Sequence, residues 1–269
     1  MSDIDLAPNH KIGLSVHSPL LLSPTAIGFG DVLPRGVQLA AVGAVVVGPV
    51  SAQGRGYVAP ATLVELDGGG VLALGTGFSC STRRAVARYG AAWARLGCPV
   101  IVQLVDATAA ELAQSARGLA HMPGVAGVEW SVPATVTPTL LAEGVRALTQ
   151  TLDAPIWVKL PLENAEALAA RAVAAGAVGL VIGQPPQGAI VQHDPVTDAA
   201  VIVHGALYGP PFFALTLRTL TAIAATQPGC ALIACGSVHT PAHVQQARVA
   251  GAHAVQIDAA WWREPGLPV

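Results

Sequence analysis

The 269-residue chain is short of charge: Asp, Glu, Lys and Arg together make up 11% of it, against 52% hydrophobic residues. A chain this apolar and this weakly charged folds rather than staying disordered. It also lacks any window of ~18 unbroken apolar residues, because Gly, Pro, Arg or Asp interrupts every apolar stretch, so no membrane span is expected. The opening Met1-Ser-Asp-Ile-Asp has neither the basic nor the apolar segment of a secretory signal, which predicts an intracellular, cytoplasmic protein. No run of basic residues exceeds the pair Arg83-Arg84, and the formal net charge is −2, so no nucleic-acid footprint is present. The four cysteines (Cys80, Cys98, Cys230, Cys235) form no CxxC pair and read as free thiols. Histidines show neither HxH nor HExxH spacing; His239 and His243 share a helical face without a third ligand, so no metal site is expected. Lysine is the scarcest cation, with Lys11 and Lys159 beside twelve arginines. A G+C-rich genome accounts for the bias, but a lysine kept inside an apolar strand needs its own explanation.

What is present is an alternation. Short apolar, β-branched runs at Leu20–Leu22, Ala44–Val47, Val100–Val105, Val125–Trp130, Ile156–Leu160, Gly179–Ile182, Ala231–Cys235 and Ala254–Ile257 are separated by longer Ala-rich segments. Strands that are apolar on both faces and separated by helices belong to covered parallel sheets. Helices are expected from Asp106 as N-cap through Leu119, from Thr137-Pro138, over Glu163–Ala175 with Gly176 as the stop, and over Thr240–Ala250. Eight such units predict an α/β fold, a single (β/α)8 TIM barrel in one domain over 1–269, rather than an open sheet. Two insertions interrupt it: a hairpin-rich segment near 52–76, and a long connection near 184–210 of the kind that serves as a lid or binding loop. Trp130 and Trp157 read as core filling, and Trp261-Trp262 as packing for a terminal helix or an oligomer interface.

Barrel enzymes place their chemistry at the C-terminal ends of the strands. Lys159 ends Ile156-Trp-Val-Lys-Leu, where an ammonium stabilises an anionic cofactor or enolate, forms a Schiff base, or simply pairs with a carboxylate such as Glu129. Gly236-Ser237 follows the seventh strand, the usual position of a barrel phosphate site. Asp258 ends the eighth, where it repels a phosphate or caps a helix. Cys80 and Cys235 read as buried, inert thiols, since a nucleophilic thiol needs an activating environment.

These segments resemble the class 1 dihydroorotate dehydrogenases, FMN enzymes on a (β/α)8 barrel. The resemblance runs through Ser18-Pro-Leu-Leu-Leu-Ser, Gly75-Thr-Gly-Phe, Gly127-Val-Glu-Trp-Ser, Ile156-Trp-Val-Lys-Leu, Gly205-Ala-Leu-Tyr-Gly-Pro, Gly251-Ala-His-Ala-Val-Gln and Arg263-Glu-Pro-Gly. It implies FMN at Lys159, Gly209, Gly236, Ser237 and Ala259, catalytic positions at Lys159 and Ser131, a small-molecule substrate and a homodimer. Departures are as informative. The family's flavin-contacting lysine falls on Gly48, and its second phosphate glycine on Asp258. Pro133 and Ala134 stand where the catalytic base aligns, and the orotate-binding asparagines fall on Leu74, Cys80, Ser131 and Gln184. Losing a general base costs about 10²–10⁴-fold, and each lost amide contact about 1–3 kcal/mol. A substrate other than dihydroorotate is therefore expected, in a mouth made greasier by Leu74, Trp130, Val136, Phe212 and Phe213. The alternatives are a barrel without catalysis that serves as a subunit or binding protein, and a cofactor-free lyase using Lys159.

Overall fold

The computed structural model describes residues 3–33, 35–56, 62–75, 77–193, 196–226 and 228–260. Its centre is a set of eight parallel strands: β1 (Leu20–Leu22), β2 (Ala44–Ser51), β3 (Val100–Leu104), β4 (Val125–Ser131), β5 (Ile156–Pro161), β6 (Gly179–Gln184), β7 (Ala231–Cys235) and β8 (Ala254–Ile257). Each pairs with the next, and β8 pairs with β1 to close the ring. Helices α1 (Pro24–Ile27), α2 (Thr82–Trp93), α3 (Ala109–Leu119), α4 (Pro138–Thr151), α5 (Ala165–Ala174), α6 (Phe213–Ala225) and α7 (Pro241–Val249) follow the first seven strands. The eight apolar runs of the sequence are these strands, and the fold is a TIM barrel.

Strand alternation sorts the core into two. Outward residues meet the helices, among them Val45, Val102, Val128, Trp130, Val158 and Leu180. Inward residues fill the cylinder: Leu21, Ala44, Val46, Ile101, Trp157, Val181, Ile233 and Ala254. Trp157 is the largest of these, and glycines make room for it. A Cβ at Gly127 would come within 2.6 Å of its ring, and one at Gly179 within 2.5 Å. A short antiparallel pair, Ile4–Asp5 with Ser15–Val16, adds Leu6 and Val16 to the same cluster, and Trp157 Nε1 donates to the Leu6 carbonyl at 2.8 Å.

Several local expectations are corrected. Thr108, not Asp106, caps α3, accepting from the Glu111 amide in a capping box. Asp106 is buried and instead accepts from the Ala52 amide at 2.8 Å and from Ser115 Oγ at 2.6 Å, tying the loop after β2 to α3. Helix α5 begins at Ala165, two residues after the expected Glu163. The connection near 184–210 is not a structureless loop. Gln187–His193 and Ala200–Tyr208 form an antiparallel hairpin that joins Gly70–Leu74 and Thr62–Leu66 of the first insertion in one four-stranded sheet. Trp130, Val136 and Phe213 do not line the mouth; all three are buried in the layer between barrel and helices. Trp261-Trp262, Arg263-Glu-Pro-Gly and part of the first insertion lie outside the described residues.

Candidate active site

The same inward alternation that packs Trp157 low in the cylinder brings polar side chains to its upper end: Gln103 on β3, Glu129 on β4, Lys159 on β5, Cys235 on β7 and Gln256 on β8. They form a connected network. Lys159 Nζ donates to Gln256 Oε1 at 2.7 Å, and Gln256 Nε2 donates to Glu129 Oε2 at 2.7 Å. Gln103 Nε2 donates to Glu129 Oε1 at 2.8 Å, and the Lys159 ammonium stands 3.7 Å from the same oxygen. Lys159 is 4% exposed, Glu129 1% and Gln256 0%, so the pair is desolvated and each charge is stabilised by amide dipoles. The pairing of Lys159 with Glu129 that the sequence left open is thus present, with Gln256 bridging it.

Burial by itself would strip the Lys159 proton; neighbouring acidic groups reverse that and hold its pKa above the ordinary lysine range. Cys235 is one of those neighbours, but burial pushes its own pKa up to about 12, so it stays a thiol at neutral pH. Glu129 and Asp258 are then the charges that keep the ammonium. A Schiff-base lysine needs the neutral amine, so this environment opposes the lyase reading.

The remaining expected residues surround this layer. Ser131 ends β4 beside Lys159 in the strand register, and its Oγ accepts from Gln184 Nε2 at 3.2 Å. The same amide nitrogen reaches the Lys159 carbonyl at 2.7 Å and the Val132 carbonyl at 2.9 Å, so Gln184 locks the β4 and β5 ends together. Gly209 (φ +127°) and Ala259 line a cavity of about 260 Å³ with Tyr208, His239, Glu65 and Leu63. Gly236 (φ +91°) sits against β6; a Cβ there would meet the Gly183 carbonyl at 2.7 Å. Ser237 is buried in a left-handed conformation (φ +60°). Asp258, 3% exposed, accepts from Ser23 Oγ at 3.1 Å, which fixes a carboxylate at the end of β8. Tyr208, at the end of the hairpin, lies within electrostatic reach of Asp258 and Lys159, and burial raises its pKa so that the phenol keeps its proton.

No protein-family model matches the sequence. The curated catalytic subunit of dihydroorotate dehydrogenase B (NAD(+)) from Desulforudis audaxviator is 26% identical over 271 residues, covering 94% of this chain and 86% of that protein. Dihydroorotate dehydrogenase A (fumarate) from Lactiplantibacillus plantarum is 24% identical over 275 residues, covering 94% of this chain and 87% of the other. Its relatives are dihydroorotate dehydrogenases. The fold agrees: a crystal structure of the Eimeria tenella enzyme of that name in complex with ferulenol superimposes with a TM-score of 0.76 at 15% identity, over 98% of this chain and 80% of the other.

Against that relationship, the donor set can be tested for FMN. The ring end offers a cation: the buried Lys159 ammonium has Cys235 as a neighbour, and the next residue, Gly236, packs against the Gly183 carbonyl. The phosphate end does not. Asp258 occupies the end of β8, and among the described residues that line the cavity beside Ala259, Glu65 is the one carboxylate and there is neither Lys nor Arg. Nor does Gly48 have room for a lysine: its φ is +139°, and a Cβ would meet the Gln103 carbonyl at 3.0 Å. The sequence missed Gln256, Gln103 and Tyr208. The first two carry a readable signal, a glutamine at the inward phase of an otherwise apolar strand; Tyr208 carries none, since only the hairpin brings it to the mouth.

Proposed function

We propose that the protein is a flavin-dependent oxidoreductase of the dihydroorotate dehydrogenase type that acts on a small, uncharged substrate other than dihydroorotate. The observation that carries this reading is the charge balance of the mouth: one ammonium, Lys159, against the carboxylates Glu129 and Asp258. A substrate anion entering there meets repulsion that the single cation, already neutralised by Glu129, does not offset. An uncharged substrate meets no such barrier. The base position supports the same conclusion, because Pro133 and Ala134 carry no proton acceptor on their side chains and Ser131 Oγ is engaged by Gln184.

When bound, the flavin supplies hydride acceptance and return. The chain's own contribution is positional. Lys159 presents a fixed positive charge whose orientation is set by Gln256 and Glu129; Gln184 holds the β4 and β5 ends in register; Tyr208 offers a protonated phenol beside the cavity. The test is spectroscopic: the purified protein, incubated with FMN and with riboflavin and then desalted, is expected to retain flavin absorbance in the near ultraviolet and blue and to oxidise or reduce an uncharged cyclic substrate. A colourless protein after both incubations would overturn the reading.

A second reading, a barrel without catalysis acting as a subunit or binding protein, is favoured by one observation. The polar layer is satisfied within itself, so Lys159 has a structural role available without any ligand. Flavin retention with reduction of the bound ring by a substrate separates the two.

A further inference from the structure

Beside β2 the molecule carries a second charged feature that the reading above does not use. The loop after β2 and the start of α2 enclose a cavity of about 330 Å³ whose lining includes Gln53, Arg55, Phe78, Arg84, Arg88 and Tyr89 and, among the described residues, no Asp or Glu. In a chain with 11% charged residues, three arginines in one cavity are a concentration. None of the three is in an ion pair among the described residues, and Arg88 rests over the Tyr89 ring at 5.2 Å.

The arrangement carries two costs for the fold. The first turn of α2 contains Arg83 and Arg84 and no acidic residue, whereas the positive end of the helix dipole favours anions. Arg84 and Arg88 are four residues apart on the same helix, a like-charge pair that repels. Both costs vanish if an anion occupies the cavity. The wall that carries the arginines is firmly built. Arg55 and Ser79 exchange backbone hydrogen bonds at 2.8 and 2.9 Å. Ser51 Oγ and Ser79 Oγ are 2.7 Å apart, and Thr82 Oγ1 reaches the Ser51 carbonyl at 3.2 Å. Arg84 and Arg88 also bear on Cys80 in the same wall: burial raises its thiol, and the two guanidinium groups pull it back.

We propose that Arg55, Arg84 and Arg88 form a binding site for a phosphate group. Guanidinium forks match the paired oxygens of a tetrahedral dianion, and the cavity volume, at the lower end of the roughly 300–1,000 Å³ of small-molecule pockets, holds the phosphate with a few carbons. This site is independent of the flavin reading; it stands or falls on its own arginines.

The test uses the full chain, with thermal unfolding and calorimetric titration against inorganic phosphate, glycerol phosphate and sodium chloride at matched ionic strength. A saturating rise in Tm of roughly 5 °C with either phosphate compound, absent with chloride, is expected. The stronger responder tells a free ion from an ester. Equal responses to all three solutes overturn the proposal. The double substitution Arg84→Gln with Arg88→Gln is expected to weaken phosphate binding at least tenfold; unchanged affinity overturns it as well. Arg55→Gln, on a different element, applies the same criterion should the double variant fail to fold.

Discussion

The mouth of the barrel and the cavity beside β2 handle charge in opposite ways. In the mouth, Lys159 is buried against Glu129, bridged by Gln256 and within reach of Asp258, so its positive charge is answered by the protein itself. In the rim cavity, Arg55, Arg84 and Arg88 line one hollow with no carboxylate among its described lining residues. Burial explains the contrast. A desolvated ammonium is unaffordable without a partner, whereas exposed guanidinium groups are stabilised by water until something displaces it. The compensated charge therefore organises the site, and the uncompensated ones are available to a ligand.

The contrast can be broken most forcefully at Lys159. Lys159→Met leaves Glu129 buried without its cation, and urea unfolding should show a loss of about 3–5 kcal/mol; adding Glu129→Met should restore much of it. A loss below about 1 kcal/mol would mean the mouth is as tolerant as the rim. Next in size is Asp258→Gly, which removes the carboxylate from the end of β8. FMN affinity, measured by quenching of flavin fluorescence, should rise about tenfold, about 1.4 kcal/mol, with riboflavin affinity changing less.

The rim answers in the other direction. Arg84→Glu puts an anion in the first turn of α2 and should stabilise the protein by about 0.3–1 kcal/mol in a denaturant titration, while abolishing the phosphate response. A mutation that makes the fold better and the site worse is the signature expected of residues kept for a ligand. The smallest effect is at His243, stacked on Phe213 with ring centroids 4.2 Å apart. Burial lowers its pKa from the usual 6.5, so the folded state favours the neutral ring. Its contribution to stability is present above that value and declines as pH falls through it. His243→Gln should flatten the acid limb of a plot of Tm against pH below the ordinary histidine range, about pH 6.5.

Much of the frame was legible because it is local. A run such as Ala44–Val47 or Ala231–Cys235, apolar on both faces, is diagnostic of a covered parallel strand over a few residues, and each of the eight runs is a barrel strand. Caps at Thr137 and Thr240 were equally plain. Asp106 misled because an aspartate before an Ala-rich helix has the look of an N-cap, and nothing nearby in sequence reveals that Ala52 and Ser115 claim its oxygens. Gln184–Pro210 was read as a loop because its hairpin is exposed and carries little hydrophobic patterning; its strands are set by pairing with Gly70–Leu74, more than a hundred residues earlier. Trp130, Val136 and Phe213 were assigned to the mouth from alignment position alone, and all three are buried in the core between strands and helices instead.

From composition and periodicity alone, the chain determined a closed parallel barrel and one strand-end lysine inside it. Only the tertiary structure decided which charges answer that lysine. Glu129, Lys159 and Gln256 are separated by thirty residues or more in sequence and meet because three strands point the same phase into one cylinder. Arg55 joins Arg84 and Arg88 only where the loop after β2 folds back on α2. Secondary structure follows from neighbours along the chain, but an electrostatic site is a sum over neighbours in space, and closure of the barrel is what assembles them.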